Sequence, residues 1–170
     1  MPVTQVLKDP SALTMTVIAD LDATLERAWQ LIGDPRQLER WWGPPEYPAT
    51  VVEHDLTPGG RVTYYMTGPT GDTHHGFWRV IGVDPPRSLD VEDGFADAEG
   101  NPDPTMPTGT MRLSLEETAT GTRLSVFSTF ASPETMEQLL AMGQEEGMKA
   151  AMGQIDGILK GIGCSTAVLA

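Results

Sequence analysis

From Thr14 the chain alternates. Met15, Val17 and Ala19 fall on one side and Thr14, Thr16 and Ile18 on the other, a period of two that predicts a first strand over TMTVIADLD, residues 14–22. In ATLERAWQLIG the period lengthens: Leu25, Ala28 or Trp29, and Ile32 recur at helical spacing, and Gly33 closes a short amphipathic helix. Asp34 and Pro35 then open a second short helix, RQLERWW. The aspartate can accept from amides that have no helical partner, and proline suits a position where no amide is needed. Gly43-Pro44-Pro45 stops it.

Between residues 49 and 131 turn signals recur at PGG, GPTGD, DPP and TATGT, with a long polar insert, GFADAEGNPDPTMPTG. The runs between them, TVVEHDL, RVTYYMT, HGFWRVIGV, SLDVED, TMRLSLEET and TRLSVFSTF, have strand length. Several alternate, as in Leu89/Val91, Met111/Leu113/Leu115 and Leu124/Val126. Strands in succession with no helical pattern between them predict an antiparallel meander, one face buried and one wet. The chain then returns to helical spacing. Ser132 and Pro133 start a long closing helix whose apolar or small residues recur at 136, 140, 143, 147, 151, 155, 158 and 162.

This order predicts an α+β fold: about seven antiparallel strands in a curved sheet wrapped around a long C-terminal helix, with two short helices after the first strand. The 170 residues suit a single domain with its core over about 12–162. No apolar run reaches the ~20 residues that cross a bilayer, and MPVTQVLKDP has no secretory pattern, so a soluble, cytoplasmic protein is expected. Cys164 is the only cysteine, which leaves no disulfide within the chain and no cysteine cluster for zinc; a small buried or chain-end side chain is expected there. A net charge of -13 repels nucleic acid and anionic membrane surfaces and is otherwise a solubility feature.

The words RAWQLIGDPRQLERWWGP, HDLTPGG, the Gly76 strand running into VDPPRSL, GTRLSV and SPETMEQLLAMGQEEGMKAAMGQIDGIL occur in an order that resembles the START/birch-pollen-allergen (SRPBCC) superfamily and its helix-grip fold. Within it they resemble the family named after the activator of heat shock protein 90 ATPase. The match spans nearly the whole chain. Many relatives look to carry Trp after the glycine that here precedes Met148, so this chain departs there. The resemblance implies a cavity between sheet and helix and a place in stress response or secondary metabolism. It also implies, as alternatives, an enzyme like the polyketide cyclases and dehydratases or a chaperone-associated binding module. The founding cochaperone's activity rests on more than this module, and its role is not carried over.

Side chains expected to line such a cavity are Val62, Tyr64, Met66 and Phe77, with Met111, Leu113, Val126 and Phe130 from later strands. From the closing helix they are Gly143, Gly147, Met148, Ala151 and Met152. Interior helix glycine costs ~1 kcal/mol against alanine, so Gly143 and Gly147 either make room for a ligand or allow close helix-to-sheet packing. Trp41 and Trp42 point ~100° apart on a helix, so one anchors the helix and the other rims the cavity; the sequence does not say which.

His54, His74 and His75 lack the spacing of a metal site, since adjacent strand residues face opposite ways. No nucleophile elbow, phosphate loop or dinucleotide fingerprint is present. If the chain is an enzyme, Tyr64 is the candidate donor and His75 the acid or base, with Arg112 or Arg123 as an anion holder that alternation places outward. The acidic stretch 92–104 is expected to be a solvated loop or a partner surface. The leading expectation is a binder of a small hydrophobic or aromatic molecule that needs no cofactor or metal, with a homodimer left open.

Overall fold

The computed structural model describes residues 3–161. Cys164 and Ile162, the last position of the predicted helical stripe, lie outside the described residues. The strands are β1 (Val3–Asp9), β2 (Thr14–Leu21), β3 (Ala49–His54), β4 (Arg61–Thr67), β5 (Thr73–Asp84), β6 (Ser88–Phe95), β7 (Thr108–Glu117) and β8 (Thr122–Phe130). They form one antiparallel sheet in the order β1-β2-β8-β7-β6-β5-β4-β3, a meander from β3 to β8 closed by β2 against β8. The helices α1 (Leu25–Gly33) and α2 (Pro35–Trp41) follow β2, and α3 (Pro133–Ala141), α4 (Gln144–Met152) and α5 (Ile155–Leu159) follow β8.

The caps predicted at Asp34 and Ser132 form, and Thr24 adds one that the sequence did not single out. Thr24 accepts from Arg27 N at 3.2 Å, Asp34 from Arg36 N at 2.9 Å, and Ser132 from Thr135 N at 3.1 Å. Two features differ from expectation. The eighth strand is β1, an edge strand in which only Val3 and Val6 are half-buried; with its other residues exposed, it lacks the alternation that marks a sheet interior. The closing helix is three helices rather than one. Gly143 adopts φ 91°, a left-handed conformation that ends one helical segment and starts the next, and a second break falls at Gly153.

Cross-strand register decides which residues share the concave face. Val62 pairs with Trp78, Trp78 with Asp93, Asp93 with Gly109 and Gly109 with Phe130, giving one continuous row across five strands. A second row runs through Val91, Met111, Ser128 and Met15. The core on this face includes Trp41, Trp78, Leu31, Leu113, Val126, Met152 and Ile155. Helix α2 is tied to β3 from both sides, with Arg36 Nη2 donating to the Val51 carbonyl at 2.8 Å and Glu39 Oε1 accepting from Val51 N at 3.1 Å.

The acidic stretch 92–104 is not one solvated loop. Glu92–Phe95 continue β6, and the residues beyond fold back on the convex face. There Ala96 N donates to the His75 carbonyl at 3.0 Å, and Gly100 sits so close to Thr63 that a Cβ would lie 3.1 Å from it. Among the described residues no helix is long and apolar enough to cross a membrane.

Candidate functional site

The two tryptophans divide as their helical geometry requires. Trp41 is fully buried and donates from Nε1 to the Leu31 carbonyl at 2.8 Å, which anchors α2 to α1. Trp42 turns toward the sheet and meets Trp78 edge to face at 4.9 Å and Tyr64 at 6.1 Å. Its Nε1 is buried without a hydrogen-bond partner.

Beside Trp42 the concave face is not filled. A pocket of about 310 Å3, open to solvent, lies between the sheet and α3–α4. Tyr64, Met66, Asp93, Met111, Ser128 and Phe130 form its sheet wall; Leu139, Met142, Gly147 and Met148 form its helical wall; and Trp42 and Pro44 stand at one end. Gly143 and Gln144 border it at the helix break. Gly76 shapes the floor. It pairs with Tyr64, and a Cβ there would lie 2.5 Å from the phenol oxygen, so only glycine lets that ring cross the strand.

Of the residues singled out from sequence, Trp42, Tyr64, Met66, Met111, Phe130, Gly143, Gly147 and Met148 line this pocket. Trp41, Val62, Leu113, Val126, Ala151 and Met152 do not. All are buried at 1% exposure or less, because the half of the concave face next to α1, α2 and α5 is packed solid. Phe77 is corrected too: it lies on the convex face, opposite Gly94 and Thr63, at 2% exposure. For Gly147 the choice between close packing and open space resolves to open space, as a Cβ there would meet nothing within 4 Å.

The histidines take separate partners. His54 Nε2 contacts the Ile32 carbonyl at 3.0 Å, and His74 Nε2 lies 2.6 Å from Asp72 Oδ2. His75 borders the pocket, but register puts it on the convex side with Tyr65, 5.5 Å away, which removes the geometric basis for an acid–base role. Of the pair, His74 shares the concave face with Met66. Arg112 and Arg123 point outward, to Asp90 at 3.2 Å and Asp20 at 2.9 Å.

The pocket's carboxyl group is one the sequence did not single out. Asp93 sits half-buried on the concave face, and removal from water raises its carboxyl from 3.8 to about 6, with Glu92 adding a smaller repulsion. Desolvation also pushes the Tyr64 phenol up, so it stays protonated, and the Trp42 indole opposes this. An apolar chamber with a phenol, an unpartnered indole N–H and a carboxyl titrating near neutrality can hold a polar group of a bound molecule or exchange a proton with it.

The sign of the Asp93 contribution follows from its raised value. The folded chain keeps this proton at pH values where the unfolded chain has released it, so the stabilisation is complete below pH ~4 and is lost as pH rises through ~6. Asp93→Asn therefore raises unfolding free energy at pH 7.5 by about 1 kcal/mol, less than the full shift implies because the pocket admits water, and leaves it unchanged at pH 3.5. Urea denaturation at the two pH values checks this; equal effects at both would show that Asp93 is not desolvated.

An antiparallel sheet gripping C-terminal helices, with a pocket held between them, defines a helix-grip protein. A family model described as "Activator of Hsp90 ATPase homolog 1-like protein" matches residues 22–160, and the chain belongs to that family. Its fold is similar to that of protein Ms6760 from Mycobacterium smegmatis, at 48% identity and TM-score 0.86 over 94% of this chain and 98% of that one. It is also similar to a protein from Arthrobacter aurescens, at 44% identity and TM-score 0.88 over 93% and 92% of the two chains. A Rhodobacter sphaeroides protein shares 26% identity at TM-score 0.78 over 92% and 97%. No curated protein matches the chain.

Proposed function

We propose that this protein binds a small apolar or aromatic molecule in the pocket between the sheet and α3–α4. The observation that carries the reading is the combination of walls built mainly from aromatic, methionine and leucine side chains with buried polar atoms, Trp42 Nε1 beside the Tyr64 phenol and Gln144 Oε1, neither of which is in a formed hydrogen bond. Buried polar atoms are ordinarily hydrogen-bonded, and an unpaired one costs about 1–3 kcal/mol. A bound molecule supplies the missing partners while its body covers the methionines. Four of those, Met66, Met111, Met142 and Met148, give a wall that can repack around ligands of different outline.

Gly147→Leu tests this reading. The new side chain enters open space on the helical wall, so melting temperature is kept or raised, while affinity for an aromatic probe such as 1-naphthylmethanol falls at least about tenfold. Titration calorimetry and thermal denaturation on the same preparation separate the two effects. Unchanged affinity in a stable variant would exclude the pocket as the binding place. Native mass spectrometry of freshly purified protein, compared with the denatured mass, then identifies any molecule carried from the cell.

A further inference from the structure

The head group of the bound molecule is the open question that the pocket's own chemistry addresses. The inference rests on the binding reading above and deepens it. Among the lining residues there is no Lys or Arg. The charged group that enters the chamber is Asp93, placed by register between Trp78 and Gly109 in the middle of the concave face. No described basic side chain forms an ion pair with it, and the hydrogen bond it accepts is from its own backbone amide. A second acceptor, Gln144 Oε1, is buried at the helix break without a donor.

Two acceptors that no other side chain satisfies, one of them a carboxylate, describe the complement of an N–H-rich group. The aromatic surroundings favour the same charge. Trp42, Tyr64, Phe95 and Phe130 line the chamber, and aromatic faces attract a cation at about 0.5–2 kcal/mol. The N-terminus of α4 reaches this wall with the opposite preference, but Glu145 and Glu146 stand in its first turn and offset it. A ligand carboxylate entering here meets a like charge in a partly desolvated site lined by no Lys or Arg, and His74, the histidine on this face, is already paired with Asp72, which disfavours fatty acids and aryl acids.

We propose that the pocket selects apolar amines: molecules with an aromatic or aliphatic body seated against the methionine wall and an ammonium or other cationic N–H group paired with Asp93. At neutral pH such a pair exchanges a partly desolvated carboxylate without a cationic partner for a charge-assisted hydrogen bond, among the stronger polar contacts available to a small ligand.

Three probes on one skeleton test it: 1-naphthylmethylamine, 1-naphthylmethanol and 1-naphthoate, titrated at pH 7.5 in physiological salt into the wild-type protein and Asp93→Asn. The expected order in wild type is amine, then alcohol, then carboxylate, with the amine about tenfold tighter than the alcohol. In Asp93→Asn the amine falls to the alcohol's affinity while the alcohol is little changed. The variant removes a single charge from a chain of net -13, so attraction of the amine to the acidic surface survives in it, and the loss reports on the pocket. Carboxylate binding equal to or tighter than amine binding, or an amine preference that persists in Asp93→Asn, overturns the head-group assignment and leaves the pocket as a binding site. Failure of all three probes to bind wild type overturns the binding reading and this inference with it.

Discussion

Replacing Trp41 by alanine lowers the unfolding free energy by about 3–5 kcal/mol, read from urea denaturation followed by circular dichroism. The side chain is fully buried, packs edge to face on Trp42 at 5.7 Å and donates to the Leu31 carbonyl, so truncation leaves both a cavity and an unpaired acceptor between α1 and α2. Its neighbour behaves differently. Trp42→Phe keeps an aromatic ring against Trp78 and Tyr64 and deletes an indole N–H that is in no formed hydrogen bond, so it costs clearly less stability than Trp41→Ala while affinity for a pocket ligand drops. Equal stability losses in Trp41→Ala and Trp42→Phe would refute the division of labour between anchor and pocket wall.

Gly43→Ala is the second large effect, a loss of about 3 kcal/mol for one methyl group. A Cβ at Gly43 would lie 2.1 Å from the Tyr47 carbonyl oxygen and 2.9 Å from Ala49 N. Both are backbone atoms of the turn that carries the chain from α2 into β3, and neither can rotate away. The Gly43 carbonyl also accepts from Gln154 Nε2 at 2.7 Å, so the same residue holds the turn to the last helical segments. Because Trp42 and Pro44 flank it at the pocket's end, the variant weakens ligand binding as well, checked by thermal denaturation and probe titration together. Gly147→Ala is the opposing control. It adds a methyl group in open space within a helix and gains about 1 kcal/mol.

The glycine pair shows where a linear reading stops. Gly43 reads in sequence only as a helix stop, and Gly147 as a glycine that either packs tightly or leaves room. What separates them is the distance to atoms of other segments, Tyr47 and Ala49 for one and none for the other. Gly143 was expected on the inner stripe of a long helix; it does border the pocket, but as the left-handed break between α3 and α4. That break turns Gln144 into the pocket wall.

The site residues divide along the same line. Tyr64, Met66, Met111 and Phe130 were legible because each lies on a strand whose alternation marks the inner face. Val62, Leu113 and Val126 satisfy the same alternation and yet are core, since α1, α2 and α5 fill that half of the face. Asp93 was hidden for the converse reason. It sits at the start of an acidic run that reads as solvated, and only the pairing of β6 with Trp78 on one side and Gly109 on the other carries it to the concave face. A polar residue at an inner-face position of SLDVED, in phase with Leu89 and Val91, is the signal that could have found it.

The sequence by itself determined the order of strands from β2 onward, the side-chain caps at Asp34 and Ser132 and the inner faces of β4, β7 and β8, because each depends on residues a few positions apart and on the fixed periods of helix and strand. Tertiary structure decided the edge strand β1, which of two adjacent histidines turns inward, how far the concave face is filled, and that the pocket's charge is Asp93. Each of those depends on groups brought together from distant strands and helices, where packing and removal from water set the outcome and local pattern has no influence.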